Sequence, residues 1–220
     1  MCFEKLCFVW VFVFLCFVFS IGMDSFSVST ILKNGGLAVI PTDTIYGVVA
    51  RALDRKAVER LFAIRRKTPQ KPFVILIDNI SRLKEFGVTL DAKQKKFLSD
   101  VWPRKVSIIF PCAKRKFSYL HLKTNTLAFR LPKGEKLNTL LRKTGPLVAP
   151  SANPEGKKPA ETIAEAKNYF GTRVDVYIGA GRLRGKPSTV ISLVGSSPKV
   201  LRQGAVKFVG EEMVASSGGR

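Results

Sequence analysis

The sequence predicts an α/β or α+β fold built on one large mixed sheet. Short apolar runs recur along the body, and amphipathic helical stretches interleave with them. The 46% hydrophobic content of the 220 residues also supplies enough apolar surface for a substantial core and argues against global disorder.

Taken in order, residues 6–22 read LCFVWVFVFLCFVFSIG, close to the roughly 20 apolar residues a helix needs to cross a bilayer. Glu4 balances Lys5 and no A-x-A-like site follows, so a signal peptide fits poorly. A membrane anchor, or a translation start at Met23, are the other readings, and residues 1–22 are set apart as a hydrophobic leader. The domain proper is expected over 23–209, with a polar, glycine-rich tail over 210–220. LAVIP (37–41), PFVILI (72–77), VSIIF (106–110), LAFRLP (127–132), PLVAP (146–150), VDVYI (174–178), STVISL (188–193) and KVLR (199–202) are strand candidates. Between them, Asp54 and Asp91 stand as N-caps of helices, because a carboxylate there accepts from the free amides of the first turn. Gly134–Lys143 and Glu161–Phe170 read as two further helices.

The formal net charge is +21, with a pI of about 10.2. That excess points to RNA or to a phosphate-rich substrate. Three of the four cysteines (Cys2, Cys7, Cys16) lie in the leader, leaving Cys112 alone in the body with the single histidine, His121. No C-x-x-C pair exists, so neither a zinc site nor a disulfide framework is expected, and the body reads as suited to a reducing, cytoplasmic compartment. His121 lies in a basic polar stretch, where an exposed ring is expected.

Four segments place polar residues at strand ends or turns, where sites are usually built. PTDTIYG (41–47) puts the hydroxyls of Thr42, Thr44 and Tyr46 and the Asp43 carboxylate behind a buried strand. RRKTPQKP (65–72) holds Arg65, Arg66, Lys67 and Lys71, more cations than a helix C-terminus needs to offset its dipole, and a triphosphate cradle would explain them. Thr126 and Arg130 share a strand at an even offset, hence one face. An arginine inside LAFRLP is costly to bury without an anion, so it points to a bound carboxylate or phosphate. In APSANPEG (149–156) small residues let the backbone, Ser151 and Asn153 approach a ligand closely. No Walker or dinucleotide glycine motif is present; GAGRLRG (179–185) resembles neither. A site of hydroxyls, amides and cations suits nucleotidyl transfer, which is largely positioning and charge stabilisation.

PTDTIYG, the basic run before KPFVILI, WPRKVSIIF, TLAFRLP, APSAN, PSTVISL and VLRQGAV occur in that order. Together they resemble the YrdC-type L-threonylcarbamoyladenylate synthases, over about residues 28–208. The resemblance implies a twisted open sheet flanked by helices, with a basic concavity. It implies an enzyme that joins L-threonine, bicarbonate and ATP into threonylcarbamoyl-AMP, with Mg2+ accompanying ATP. Partner proteins then transfer the group to adenosine 37 of tRNAs reading ANN codons. Thr44, Arg130, Ser151 and Ser188 match threonine-binding positions; Lys67, Lys71, Thr126, Asn153, Thr162 and Arg202 match ATP-binding ones. Arg65 and Lys67 stand where the family has a catalytic K-x-R, with residue types exchanged, so phosphate contacts are expected to be redistributed. The chain is expected to be the single-domain form. Two alternatives stay open: carbamoyl-adenylate chemistry, and a non-catalytic double-stranded RNA-binding module.

Overall fold

The computed structural model describes residues 25–65, 73–195, 197–209 and 212–214. The leader, most of the basic run with Lys67 and Lys71, and most of the tail lie outside the described residues. Among those described, no helix is long and apolar enough to cross a membrane.

Helix α1 (Ser25–Lys33) leads into β1 (Ala38–Pro41), which pairs antiparallel with β2 (Tyr46–Arg51) in the register Pro41 with Tyr46. PTDTIYG is therefore a hairpin whose loop is residues 42–45. Strand β2 is absent from the strands expected above. Five of its six residues are buried, so it reads as a continuous apolar run without the alternation that marks a half-exposed strand. Helix α2 (Arg55–Arg65) follows, with the Asp54 carboxylate accepting from the Ala57 amide at 3.0 Å as its cap. Then come β3 (Val74–Leu76), α3 (Ala92–Val101), β4 (Val106–Pro111), the short α4 (Ser118–His121) and β5 (Thr126–Arg130). Helix α3 opens with a reciprocal capping box between Asp91 and Gln94. Helix α5 (Glu135–Thr144), β6 (Leu147–Val148), α6 (Ile163–Phe170), β7 (Val176–Tyr177), β8 (Thr189–Ser192) and β9 (Lys199–Arg202) complete the main layer. A separate hairpin pairs β10 (Lys207–Val209) with β11 (Glu212–Val214), so the boundary drawn at residue 209 runs through a paired element.

Nine strands form one open mixed sheet in the order β7-β1-β2-β6-β3-β5-β4-β8-β9. The period of two along each strand divides the core between its faces. Ala38, Ile40 and Val49 pack with Val28 and Leu32 of α1 and Leu137, Leu140 and Leu141 of α5. Val39, Tyr46, Val48 and Ala50 face the larger core, which holds Val58 and Leu61 of α2 and Phe86, Phe110 and Phe129. His121 departs from expectation: it is 5% exposed, and neither ring nitrogen has a hydrogen-bond partner. Its helix α4 turns Leu120 and His121 inward together, so the polar flanks that suggested exposure belong to the neighbouring loop residues.

Candidate active site

The site forms where the Thr42–Ile45 loop, the segment after β6 and the start of β8 converge. An open cavity of about 210 Å3 there is lined by Thr42, Thr44, Tyr46, Arg65, Phe73, Arg130, Ser151, Ser188 and Arg202, among others. The segment after β6 is stitched between two strands. Ala149 donates to the Val74 carbonyl at 2.8 Å, and Ala152 to the Tyr46 carbonyl at 2.9 Å. Ser151 bridges to Gly47. A Cβ on Gly47 would lie 3.3 Å from the Pro150 carbonyl oxygen, so a side chain there would require this segment to give by a few tenths of an ångström.

Hydroxyl proton accounting gives one side of the cavity a definite polarity. Thr42 Oγ1 donates its only proton to the Ile45 carbonyl at 2.7 Å. The 3.0 Å contact between the Thr42 and Thr44 hydroxyls is then a donation from Thr44. Thr44 Oγ1 is left as an acceptor, suited to an amine or hydroxyl of a ligand. Across the cavity, Ser188 Oγ lies 2.8 Å from the fully buried Ser107 Oγ of β4. The Ser188 carbonyl accepts from Arg202 Nη2 at 2.8 Å.

Three guanidiniums reach the same space. Arg130, at the end of β5, is only 5% exposed. Its Nη2 lies 3.0 Å from Asp43 Oδ1, an ion-pair distance without hydrogen-bond alignment, since neither Asp43 oxygen nor Arg130 Nε has a hydrogen-bonding partner. Burial pushes the Arg130 pKa down against the pull of Asp43, and Arg202 adds to the depression. Burial likewise raises the Asp43 carboxyl above its ordinary range, opposed by Arg130. Arg65, 8% exposed at the end of α2, donates through Nη1 to the carbonyl of Ser151 and lies 3.4 Å from its hydroxyl. Its guanidinium stands over the Phe73 ring at 5.6 Å, and Phe73 stacks on Phe62. Burial lowers its pKa to about 10, with Glu155 opposing the shift, and Arg65 Nε is buried without a partner. Arg202 is depressed by burial alone. Arg202 is exposed, but buried, under-bonded cations such as Arg65 and Arg130 are expensive unless an anion completes them.

Of the residues singled out from sequence, Thr44, Arg65, Arg130, Ser151, Ser188 and Arg202 line the cavity. Lys67 and Lys71 lie outside the described residues. Thr126 and Arg130 share a strand but stand at its opposite ends, roughly 13 Å apart at the usual rise per residue; the Thr126 hydroxyl bonds Thr124 instead. Asn153 clamps its own loop, donating to the carbonyls of Pro154 and Lys157 at 2.8 and 2.7 Å, with Oδ1 left unpaired. Thr162 caps α6 through a 3.2 Å bond from the Glu165 amide.

GAGRLRG, which matched no nucleotide motif, is a strap packed against Tyr46 and Thr44 of the cavity wall. The Tyr46 hydroxyl donates to the Gly181 carbonyl at 2.7 Å and accepts from the Ala180 amide at 2.8 Å. Arg182 and Arg184 pair with Glu161. At Gly185 the strap meets Thr44 so closely that a Cβ would fall 1.9 Å from the Thr44 carbonyl oxygen. The sequence placed Asp43 in a site segment without a partner and left Ser107 and Gly185 out, since Arg130, Ser188 and Thr44, which they meet, are distant along the chain.

An open mixed sheet with hydroxyls and arginines at one cavity defines an α/β protein whose cavity suits an anionic ligand. The chain belongs to the Sua5/YciO/YrdC family, whose family model, described as telomere recombination, matches residues 30–204. Threonylcarbamoyl-AMP synthase of Thiobacillus denitrificans is 31% identical over 172 residues, 78% of this chain and 90% of the relative. The structure of P. abyssi Sua5 complexed with L-threonine superposes with a TM-score of 0.77 at 26% identity, covering 84% of this chain and 56% of that one. E. coli YciO gives 0.72 at 27% identity, covering 81% and 87%. The chain thus spans about half the length of the Pyrococcus protein.

Proposed function

We propose that this cavity makes L-threonylcarbamoyl-AMP from L-threonine, bicarbonate and ATP, for threonylcarbamoyladenosine formation in tRNA. The observation that carries it is Arg130: a guanidinium 5% exposed with no well-aligned partner, facing a cavity that the arginines at 65 and 202 also line. Membership of the family and the threonine-bound Sua5 neighbour supply the substrate class. The Arg130 fork takes the threonine carboxylate, and Thr44 Oγ1 accepts from its amine or hydroxyl. Bicarbonate loses hydroxide to give carbon dioxide, which threonine's amine captures as it releases a proton, so that water is the net by-product. The resulting N-carboxylate oxygen bonds to the α-phosphorus of ATP as the bond to pyrophosphate breaks. Arg65 and Arg202, with Lys67 and Lys71, offset charge on the phosphates, and holding the reactants in line provides the rest. Among the described residues no group of His, Cys, Asp or Glu could hold a metal. Mg2+ would accompany the ATP phosphates, whose oxygens supply hard ligands for it. Product transfer to tRNA falls to partner proteins, and the net charge of +21 favours RNA contact. Pyrophosphate release tests the reading: it should require all three substrates together, and release without threonine or bicarbonate would refute it.

A further inference from the structure

We infer that Asp43 is a positioning residue for the substrate-carboxylate site: its buried carboxylate holds one edge of the Arg130 guanidinium so that other donors of the fork face the cavity. The inference rests on the proposed role of Arg130 as the threonine-carboxylate site. Asp43 sits in the loop between β1 and β2, while Arg130 ends β5, so the contact joins strands that are not neighbours in the sheet. The side chains are 4% and 6% exposed, and Nη2 is 3.0 Å from Oδ1. Arg130 lines the cavity and Asp43 does not, so Asp43 stands behind the arginine and acts through it.

Stability is a poor explanation for this pair. Neither Asp43 oxygen accepts a well-formed hydrogen bond, and burial raises the carboxyl in spite of the adjacent cation. Two buried charges that so incompletely satisfy each other gain little over neutral residues. Orientation explains the arrangement better. A buried counter-charge against one nitrogen restricts how the fork can turn, and a restricted fork selects a carboxylate over a less directional anion. The counter-charge also keeps Arg130 tolerable beside Arg202 when no substrate is bound.

The test uses the full chain with Asp43→Asn, Asp43→Glu, Arg130→Ala and the double change Asp43→Asn/Arg130→Ala. Pyrophosphate release is followed against threonine and, separately, against ATP. Asp43→Asn should lower kcat/KM for threonine by about tenfold or more while leaving that for ATP nearly unchanged. In the Arg130→Ala background the same change should add nothing, because a residue acting only through Arg130 has nothing left to position. Equal losses for both substrates, or an undiminished effect in the Arg130→Ala background, would overturn the assignment. Should Asp43→Asn fail to fold, Asp43→Glu carries the same test, keeping the charge but displacing it by one methylene. It too must affect threonine selectively, and a parallel loss or none overturns the proposal. Absence of threonine-dependent release from the unaltered protein is a different result, and it sinks the functional reading itself.

Discussion

At the scale of single residues, the account turns on buried arginines whose environments demand an anion. Arg130→Ala should raise the threonine requirement, costing about 2–4 kcal/mol, roughly 30- to 1000-fold in kcat/KM, with a much smaller effect on ATP. Steady-state pyrophosphate release against each substrate measures it. Arg65, which holds Ser151 and stands over Phe73, occupies the first place of the exchanged basic motif. Arg65→Ala should therefore damage ATP use at least as much as Lys67→Ala, measured in the same assay. Asp43 adds a pH signature. Its folded pKa is raised by burial, against the pull of Arg130 and Lys105. The folded state thus binds this proton more tightly than the unfolded chain. Stability from this group falls as pH rises from the ordinary value of 3.8 through the raised pKa. Thermal unfolding across that window should show the slope in the unaltered protein and lose it in Asp43→Asn.

At the scale of elements, helix caps and strands were legible because their signals are local. Asp54 and Asp91 cap as expected, and all eight expected strand segments contain strands. What escaped was tertiary. Strand β2 lacked alternation because both of its faces are buried. Thr126, Asn153 and Thr162 carried the right chemistry at the right place in the chain, but strand length, loop closure and helix capping account for them away from the cavity lining. The cations and hydroxyls of the site were visible, whereas the strap was not, since its role depends on Tyr46 and Thr44 more than 130 residues earlier. Gly185→Ala should force the strap and the Thr44 backbone apart, lowering kcat/KM for threonine and lowering the unfolding temperature as well. Asp91→Ala gives the contrast: loss of about 1 kcal/mol of stability in thermal or denaturant unfolding, with unaltered kinetic constants.

For the whole molecule, two helical layers on an open sheet bury the strands that carry the site. Cores on both faces keep the hairpin loop, the segment after β6 and the start of β8 in register. The described fold begins at Ser25 and the family match at residue 30. If Met23 is the true start, residues 23–220 alone should be folded and fully active. The most direct test of the central claim follows the carbon. Incubation with 13C-bicarbonate, L-threonine and ATP should yield pyrophosphate and an AMP adduct containing threonine and one labelled carbon, in equal amounts by mass spectrometry. An AMP adduct of threonine without the labelled carbon, or ATP hydrolysis with no adduct, would contradict it.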